Sequence, residues 1–427
     1  MIAAALALAL ALPGAGDSVP VVTLREAIAR AARVDPQYVQ AVGQRGNAEW
    51  ARRQARLAFL VPSLTASIDA TKFSQPFFNL GVGRPTDQAV NFRLNAQYEL
   101  LSLRKFTDLS ATDAGLQAAA ANAEQQRFTT AFQTERDFYA VLLGQELLRV
   151  ARERLGRARE QSQVGRARVL SGAAVQSDSL QLTLERTRAE SDLLRQEVAL
   201  RVARLQLGRR IGIDGPADAA PLDTLPAPPL AFGLAEALGA ALAQGPQYRQ
   251  ARAAERQTAA LLRGQRGAYL PSVNLTGAYT RFDESFFPGG RIVSQVQMVV
   301  SLPIWNNGQR EIAVQAARVN HDVARAVRVD LERAARRDVS EAHETYEAAR
   351  RAEELALAGD RAARENFRVQ ELRYRSGATT ILDLIDAQFQ LTQADADVAQ
   401  ARYATRLALA GLEVIIGRRL TPEREAM

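Results

Sequence analysis

Proline has no backbone N–H to donate and breaks a helix from within. Where it is missing is therefore informative. The chain's 16 prolines leave residues 86–215 and 304–421 without any. Both tracts are rich in Ala, Leu, Arg, Glu and Gln, which are good helix formers. Each has one break, at Ser171-Gly172-Ala173 and at Ser376-Gly377-Ala378. A glycine there suits a turn between two antiparallel helices. The reading is helices over Leu103–Leu170 and Ala174–Ile211, then Gly308–Arg375 and Thr379–Ile416. At 1.5 Å per residue each longer helix spans about 100 Å. Helices of that length are held by coiled-coil packing, not by a globular core. The last one shows the seam. Leu384, Leu391, Val398, Thr405 and Leu412 recur every seven residues, with Ala387, Ala394, Ala401 and Ala408 in step.

The chain is also an internal duplication. Leu24–Leu60 aligns with Leu234–Leu270 at an offset of 210 with 13 identities, among them Pro36-Gln37-Tyr38 against Pro246-Gln247-Tyr248. Past the long helices the offset is 205, matching the two Ser-Gly-Ala turns and Ile211-Gly212 against Ile416-Gly417. Two copies of one unit organise the chain more firmly than any short motif. We divide it into a leader (1–16), a first repeat (17–214), a proline-rich linker (215–230), a second repeat (231–420) and a tail (421–427). In each repeat a helix of about 24 residues (Pro36–Phe59 or Pro246–Tyr269) and the shorter helix after the turn together nearly match the long helix in length. Stacked end to end, the two short helices would run beside the long one.

Each repeat carries two strands with period-two alternation. Val90, Phe92, Leu94, Ala96, Tyr98 and Leu100 alternate with Asn91, Arg93, Asn95, Gln97 and Glu99. Leu64, Ala66 and Ile68 begin a partner strand; Val273–Thr280 and Arg291–Leu302 are the second pair. Segments of about 9–11 alternating residues fit tilted membrane-spanning strands. Phe73, Phe77, Phe78, Phe282, Phe286 and Phe287 flank the two hairpin loops, and Trp305 follows the last strand. Aromatics at strand ends suit the two membrane interfaces. Four strands cannot close a barrel, and an open edge in lipid leaves backbone groups unpaired. Further copies of the chain must complete it, giving eight strands in a dimer or twelve in a trimer.

Composition narrows the function. With no cysteine and two histidines, disulfides, thiolate metal sites and most histidine chemistry are excluded. Phosphate-loop, dinucleotide-binding, zinc-protease and nucleophile-elbow motifs are absent, so an enzyme is not expected, nor a cofactor. The net charge of +7 is spread along the helices, which argues against a nucleic-acid partner. Ile2–Leu12 is an apolar run ending in small residues, read as a secretory signal. The alternative reading is a soluble periplasmic coiled-coil scaffold, which would leave the alternating strands unexplained.

Several stretches resemble the TolC family of outer-membrane efflux channels. They are Leu24-x-x-Ala27-x-x-x-Ala31 with Pro36, repeated from Leu234; Leu302-Pro303-Ile304-Trp305 with Asn307-Gly308; and Arg373-Tyr374-x-x-Gly377-x-x-x-Ile381-Leu382-Asp383-Leu384-Ile385-Asp386-Ala387-Gln388. The resemblance implies a mixed α/β membrane protein. A homotrimer would form a twelve-stranded β-barrel in the outer membrane of a Gram-negative bacterium, continued into the periplasm by a long α-helical coiled-coil barrel. It implies the exit duct of a tripartite efflux or type I secretion system, opened by a periplasmic adaptor protein and coupled to an inner-membrane pump of the RND, ABC or MFS type. It places Ser171, Gly172, Ala173, Ser376, Gly377 and Ala378 at adaptor-docking tips, and Asp383 and Asp386 in carboxylate rings at the tunnel mouth. Asp178 and Tyr374 match the family's closed-state latch. The arginine that completes the latch is Thr379 here, with Arg373 or Arg375 as candidates to replace it.

Overall fold

A computed structural model describes residues 19–79, 83–172, 174–222, 229–230, 232–283 and 291–420. The expected leader (1–16) and tail (421–427), and the expected sites Ala173, Phe286 and Phe287, lie outside the described residues. In chain order the first repeat holds β1 (Val21–Val22), α1 (Leu24–Val34), α2 (Pro36–Leu57), β2 (Ser63–Asn79), β3 (Arg84–Leu101), α3 (Leu103–Leu170) and α4 (Gln176–Arg210). After β4 (Asp218–Ala219), the second repeat holds α5 (Leu234–Gln244), α6 (Pro246–Arg266), β5 (Ser272–Asp283), β6 (Arg291–Ser301), α7 (Gln309–Arg375) and α8 (Ile381–Ile416). The long helices are 68 and 67 residues, as the proline-free tracts require.

Local chemistry sets the shorter helices. Thr23 caps α1 by accepting from the Glu26 N–H at 3.3 Å. Asp35 caps α2 by accepting from the Tyr38 N–H at 2.9 Å, with Pro36 in the first turn. The second repeat keeps the proline, but Gly245 stands in place of Asp35. End-to-end stacking holds in both repeats. The end of α4 meets the α1–α2 corner, where Arg210 lies 3.7 Å from Asp35 and 2.8 Å from Asp137. The end of α8 meets the start of α6: at Gly417 (φ 74°) a Cβ would come within 2.5 Å of Pro246 Cδ.

Near the sheet the helices pack side by side in the order α2, α3, α6, α7; toward the turns the order is α4, α3, α8, α7. Two apolar cores mark mid-height. One gathers Val22, Ala27, Phe138, Leu142, Leu207 and Ala219, the other Ala237, Ala241, Tyr248, Val339, Leu412 and Ile416. Ala27 and Ala31 on α1, and Ala237 and Ala241 at the matching places on α5, are fully buried, so the duplication seen in sequence is a duplication of packing. The linker is more than a tether. Its β4 pairs in parallel with β1, a strand the period-two reading missed because two residues carry no period.

The four long strands form one antiparallel sheet in the order β2-β3-β5-β6. Its register lines the apolar residues into rows: Leu64, Ala96, Gly277 and Val296; Ala66, Leu94, Tyr279 and Ser294. Polar rows lie between them, as in Ser63, Gln97, Thr276 and Gln297. Residues directly opposite in antiparallel strands share a face, so the sheet has one apolar and one polar face. β2 and β3 run to 17 and 18 residues, longer than β5 and β6 at 12 and 11, and absorb a register shift between Lys72 and Phe77. Phe73, Phe77 and Phe78, expected to flank the first hairpin loop, thus lie within β2.

Where strand turns into helix, both repeats use the same clasp. Lys105 donates to the Glu99 carbonyl at 2.7 Å, with its ammonium 4.7 Å from the Phe59 ring and 4.3 Å from the Tyr98 ring. At the matching place Arg310 donates to the Pro303 and Ile304 carbonyls at 2.6 and 3.1 Å and lies 4.5 Å from the Tyr269 ring. Each cation ties the first turn of a long helix to the end of a strand and to the aromatic at the end of a short helix. Lys105→Met keeps the stem and loses the hydrogen bond and ring contacts. It should cost about 1–3 kcal/mol, read as a lower temperature of heat-induced dissociation of the purified particle. Arg310→Met should act in the same direction.

Candidate channel and its tip

The apolar face of the sheet is open to its surroundings. Leu64, Val296, Met298 and Val300 are each more than 60% exposed. A sheet whose apolar face stays bare in water would be a large association surface; against hydrocarbon the same face is satisfied. Among the described residues no helix is long and apolar enough to cross a membrane. A second band of bare apolar side chains lies at the strand-to-helix junctions: Leu60, Leu101, Phe106, Leu302, Ile304 and Trp305. Trp305 is therefore exposed at the base of the sheet, at the end opposite the hairpin loops. Phe73 packs edge-on to Phe77 at 4.4 Å between centroids, and both are exposed with Phe78. Phe282 differs: the register sets it between Asn91 and Arg291 in a polar row. The unbroken register of β5 puts it on the face of Asn274, Thr276 and Thr280, as period two requires.

At the far end the two turns are copies of each other. Gly172 and Gly377 have φ of 77° and 78°, the left-handed region that favours glycine. Their N–H groups donate back to the Val169 and Tyr374 carbonyls, each at 3.1 Å. The Ser171 and Ser376 hydroxyls donate to the Arg168 and Arg373 carbonyls, each at 3.0 Å. Both glycines have open space around the Cβ position, and Ser171, Ser376 and Ala378 are exposed. Leu170, at 89% exposure, is the barest of these apolar side chains.

The two aspartates of the tip do different things. The Asp383 carboxylate accepts from the Thr379 hydroxyl at 2.7 Å, the Thr380 hydroxyl at 2.6 Å and the Thr380 N–H at 3.1 Å. Thr380 in turn accepts from the Asp383 N–H at 3.3 Å, which completes a capping box at the start of α8. The Thr380 hydroxyl, then that of Thr379 and the Thr380 backbone hold the Asp383 carboxyl below its ordinary range. Asp386 is exposed and bonded to the Gln390 amide at 2.7 Å. Thr379, expected in the latch, is committed to Asp383. Asp178 accepts from Ser177 at 3.5 Å, and the Tyr374 hydroxyl, in a side chain only 7% exposed, has no hydrogen-bond partner among the described residues. Within the chain, Arg375 pairs with Glu371 at 2.8 Å, and Arg373 reaches the Ala378 carbonyl at 3.4 Å. The arginine that meets Tyr374 is Arg168, with its guanidinium 4.9 Å from the ring and donating to the Tyr374 carbonyl at 3.1 Å. Sequence reading missed it because it lies on the other repeat.

Removing the cap with Thr380→Val should destabilise the start of α8 by about 1 kcal/mol. The pH dependence has a definite sign. Asp383's pKa is depressed in the folded chain, so its contribution is complete above the unfolded value of about 3.9. It is lost as pH falls through the depressed folded value. Amide exchange in the first turn of α8 should speed up below about pH 4 in the parent chain. In Asp383→Asn it should be fast throughout.

Comparison with known proteins agrees with this geometry. Residues 237–418 match the outer membrane efflux protein family. Protein CyaE of Bordetella pertussis is 30% identical over 206 residues, 47% of this chain and 44% of that protein, so the chain spans less than half the length of this curated relative. In structure the chain is similar to a membrane protein from Pseudomonas aeruginosa (TM-score 0.75, 21% identity, covering 92% of this chain and 93% of that one). The Campylobacter jejuni CmeC outer membrane channel gives a TM-score of 0.78 at 16% identity, covering 92% and 85%. The open state of the Neisseria gonorrhoeae MtrE outer membrane channel gives 0.76 at 22% identity, covering 93% and 89%. The second repeat matches the outer membrane efflux protein family, and along nearly its whole length the chain shares the fold of these outer-membrane channels.

Proposed function

We propose that the chain is one third of an outer-membrane exit duct: a passive channel that serves an inner-membrane pump through a periplasmic adaptor. The observation that carries this reading is a pair of open edges on opposite sides of the same layer. β2 and β6 are the outer strands of the sheet, and each leaves one side of its backbone unpaired. In lipid each such group costs several kcal/mol. Below the sheet, α2 and α4 bound one side of the helical layer and α7 the other. These boundary helices carry the bare apolar stripes: Leu194, Val198, Val202 and Leu205 on α4, and Val319, Val323 and Val327 on α7. Their spacings of three, four and seven residues keep each stripe on one helix face. On each side an edge strand and the boundary helices, α2 and α4 on one side and the length of α7 on the other, are left to meet the next copy when copies close into a ring. Three copies give twelve strands, inside the range of outer-membrane barrels. The polar rows then line the pore.

The tip supports the gating half of the reading. In a ring of three, Asp386 would set three carboxylates around the tunnel mouth, a form that attracts and holds cations. Asp383, tied into its cap, would contribute structure more than field. The exposed turns at Gly172 and Gly377 are the surfaces we assign to the adaptor hairpin.

The purified protein should run as a trimer in detergent and conduct in planar bilayers. Val198 is exposed in the single chain, so Val198→Asp would change an isolated chain by no more than about 0.5 kcal/mol. If α4 is a ring edge, the buried charge should instead shift the particle toward monomer, as seen by native mass measurement. A multivalent cation added on the tip side should block current in the parent and in Asp383→Asn, and much less in Asp386→Asn. A non-conducting monomer would overturn the reading.

A further inference from the structure

The two short helices that end at the sheet lose their ion pairs as they reach it. On α6, Arg249 pairs with Glu124 at 2.6 Å and Arg252 with Glu332 at 3.5 Å. On α2, Arg45 pairs with Glu49 at 3.2 Å and Arg52 with Asp113 at 2.6 Å. The last turns differ. Arg53 and Arg56 on α2, and Arg263 and Arg266 on α6, are exposed and have no ion pair among the described residues. They occupy matching places, 210 residues apart. Residues 50–68 hold three arginines and residues 256–282 hold four, and neither stretch has an Asp or Glu. Helical phase says which way these arginines face. Gln54, Ala58, Ser63, Gln97, Glu99 and Asn274 line one hollow of about 640 Å³, so that side of α2 continues the polar face of the sheet. Arg53 and Arg56 lie about 100° and 160° around the helix from Gln54, on the side that continues the apolar face. On α6, Leu261 shares a hollow with Glu99, and Arg263 and Arg266 lie about 160° and 140° from it. Both neighbours of α6, α3 and α7, are in place, so the exposure of its arginines does not come from a missing copy.

Height matters as much as direction. Leu60, 76% exposed, belongs to the bare apolar band at the base of the sheet. At 1.5 Å per residue Arg56 lies about 6 Å beyond it and Arg53 about 10 Å. The headgroup layer is about 5–7 Å deep on each side of the hydrocarbon, and an arginine stem carries its charge further along an apolar surface. Arg53 also lies 4.9 Å from the Trp50 ring, a contact with the face of the guanidinium that leaves its N–H groups free. We propose that Arg53, Arg56, Arg263 and Arg266 bind the phosphates of anionic phospholipids in the leaflet nearest the helices. This rests on the membrane-spanning duct proposed above. A guanidinium fork matches two phosphate oxygens at once. In a ring of three copies the four residues become twelve, a basic collar around the duct. The collar fixes how deep the barrel sits, because moving it into hydrocarbon would strip the charges of both water and phosphate.

Lipid retention tests this. The detergent-purified particle is mixed with phosphatidylglycerol or with phosphatidylcholine of the same acyl chains, and bound lipid is counted by native mass measurement. The parent should prefer phosphatidylglycerol. Arg53→Gln/Arg263→Gln should lower that preference at least fivefold, about the worth of one arginine near an anionic surface, and Arg56→Gln/Arg266→Gln should act alike. Arg188→Gln/Arg201→Gln removes two exposed arginines from α4, away from the sheet, and should leave the preference unchanged. All six positions are exposed, so the folded particle should persist in every variant. Equal retention of the two lipids by the parent, or an equal loss in the α4 pair, would overturn the inference. So would altered ion selectivity in planar bilayers with lipid retention unchanged, which would turn the arginines toward the duct. A chain that stays soluble and monomeric without detergent would remove the duct reading itself; a detergent-held trimer with no lipid preference would remove only this inference.

Discussion

A backbone amide in lipid has no water to fall back on, and this one constraint organises the molecule. Four strands with an apolar face leave two unpaired edges, and in hydrocarbon unpaired edges are not tolerated. The edges can be removed only by closing the sheet on other copies of itself. Closure then dictates what lies beneath. The strands pass directly into helices about 100 Å long, so in the duct we propose a ring of strands is continued by a ring of helices. The lateral order of the helices, with α2 and α4 at one side and α7 at the other, matches the sheet with β2 and β6 outermost.

Duplication is how one chain supplies an even share of that ring. Each repeat contributes one hairpin, one long helix and two stacked short ones. The junction clasps show that this is more than a gross resemblance. Lys105 and Arg310 are different residues with different donor geometries, yet each is tied to a carbonyl at the end of a strand and lies over an aromatic side chain. What persists is the physical solution: a cation that neutralises loose carbonyls and presses on a ring where the chain changes from strand to helix. Lysine does this as a compact point charge, whereas arginine reaches two carbonyls at once.

The sequence made the large features legible because they come from periodicity and from proline. The end points of α3 were readable to the residue, since Leu103 follows the last alternating strand residues and Leu170 precedes the Ser-Gly turn. Strand lengths were less legible. The extra residues of β2 and β3 beyond Lys72 carry Ser, Gln and Pro, which read as loop, and the register shift there breaks the alternation. The parallel β1–β4 pair was invisible because its pairing is set by the packing of α1 on α3. At the tip, pattern matching named residues but not the contacts they make. Asp383 matches a family position associated with the tunnel mouth, and the structure also shows it holding the first turn of α8. The arginine on Tyr374 could not be found by scanning near Tyr374, since its sequence separation is 206 residues.

Where a ring of repeats must open, equal seams would compete. In the sixfold arrangement that two repeats and three copies would produce in the proposed duct, identical contacts at every seam would leave six equivalent places to part, and opening could begin anywhere. A tyrosine at 374 in one repeat and a valine at 169 in the other break that equivalence. A duplicated chain can make this distinction and a sixfold homo-oligomer cannot, because only covalent duplication lets the two halves of one repeating contact evolve different side chains.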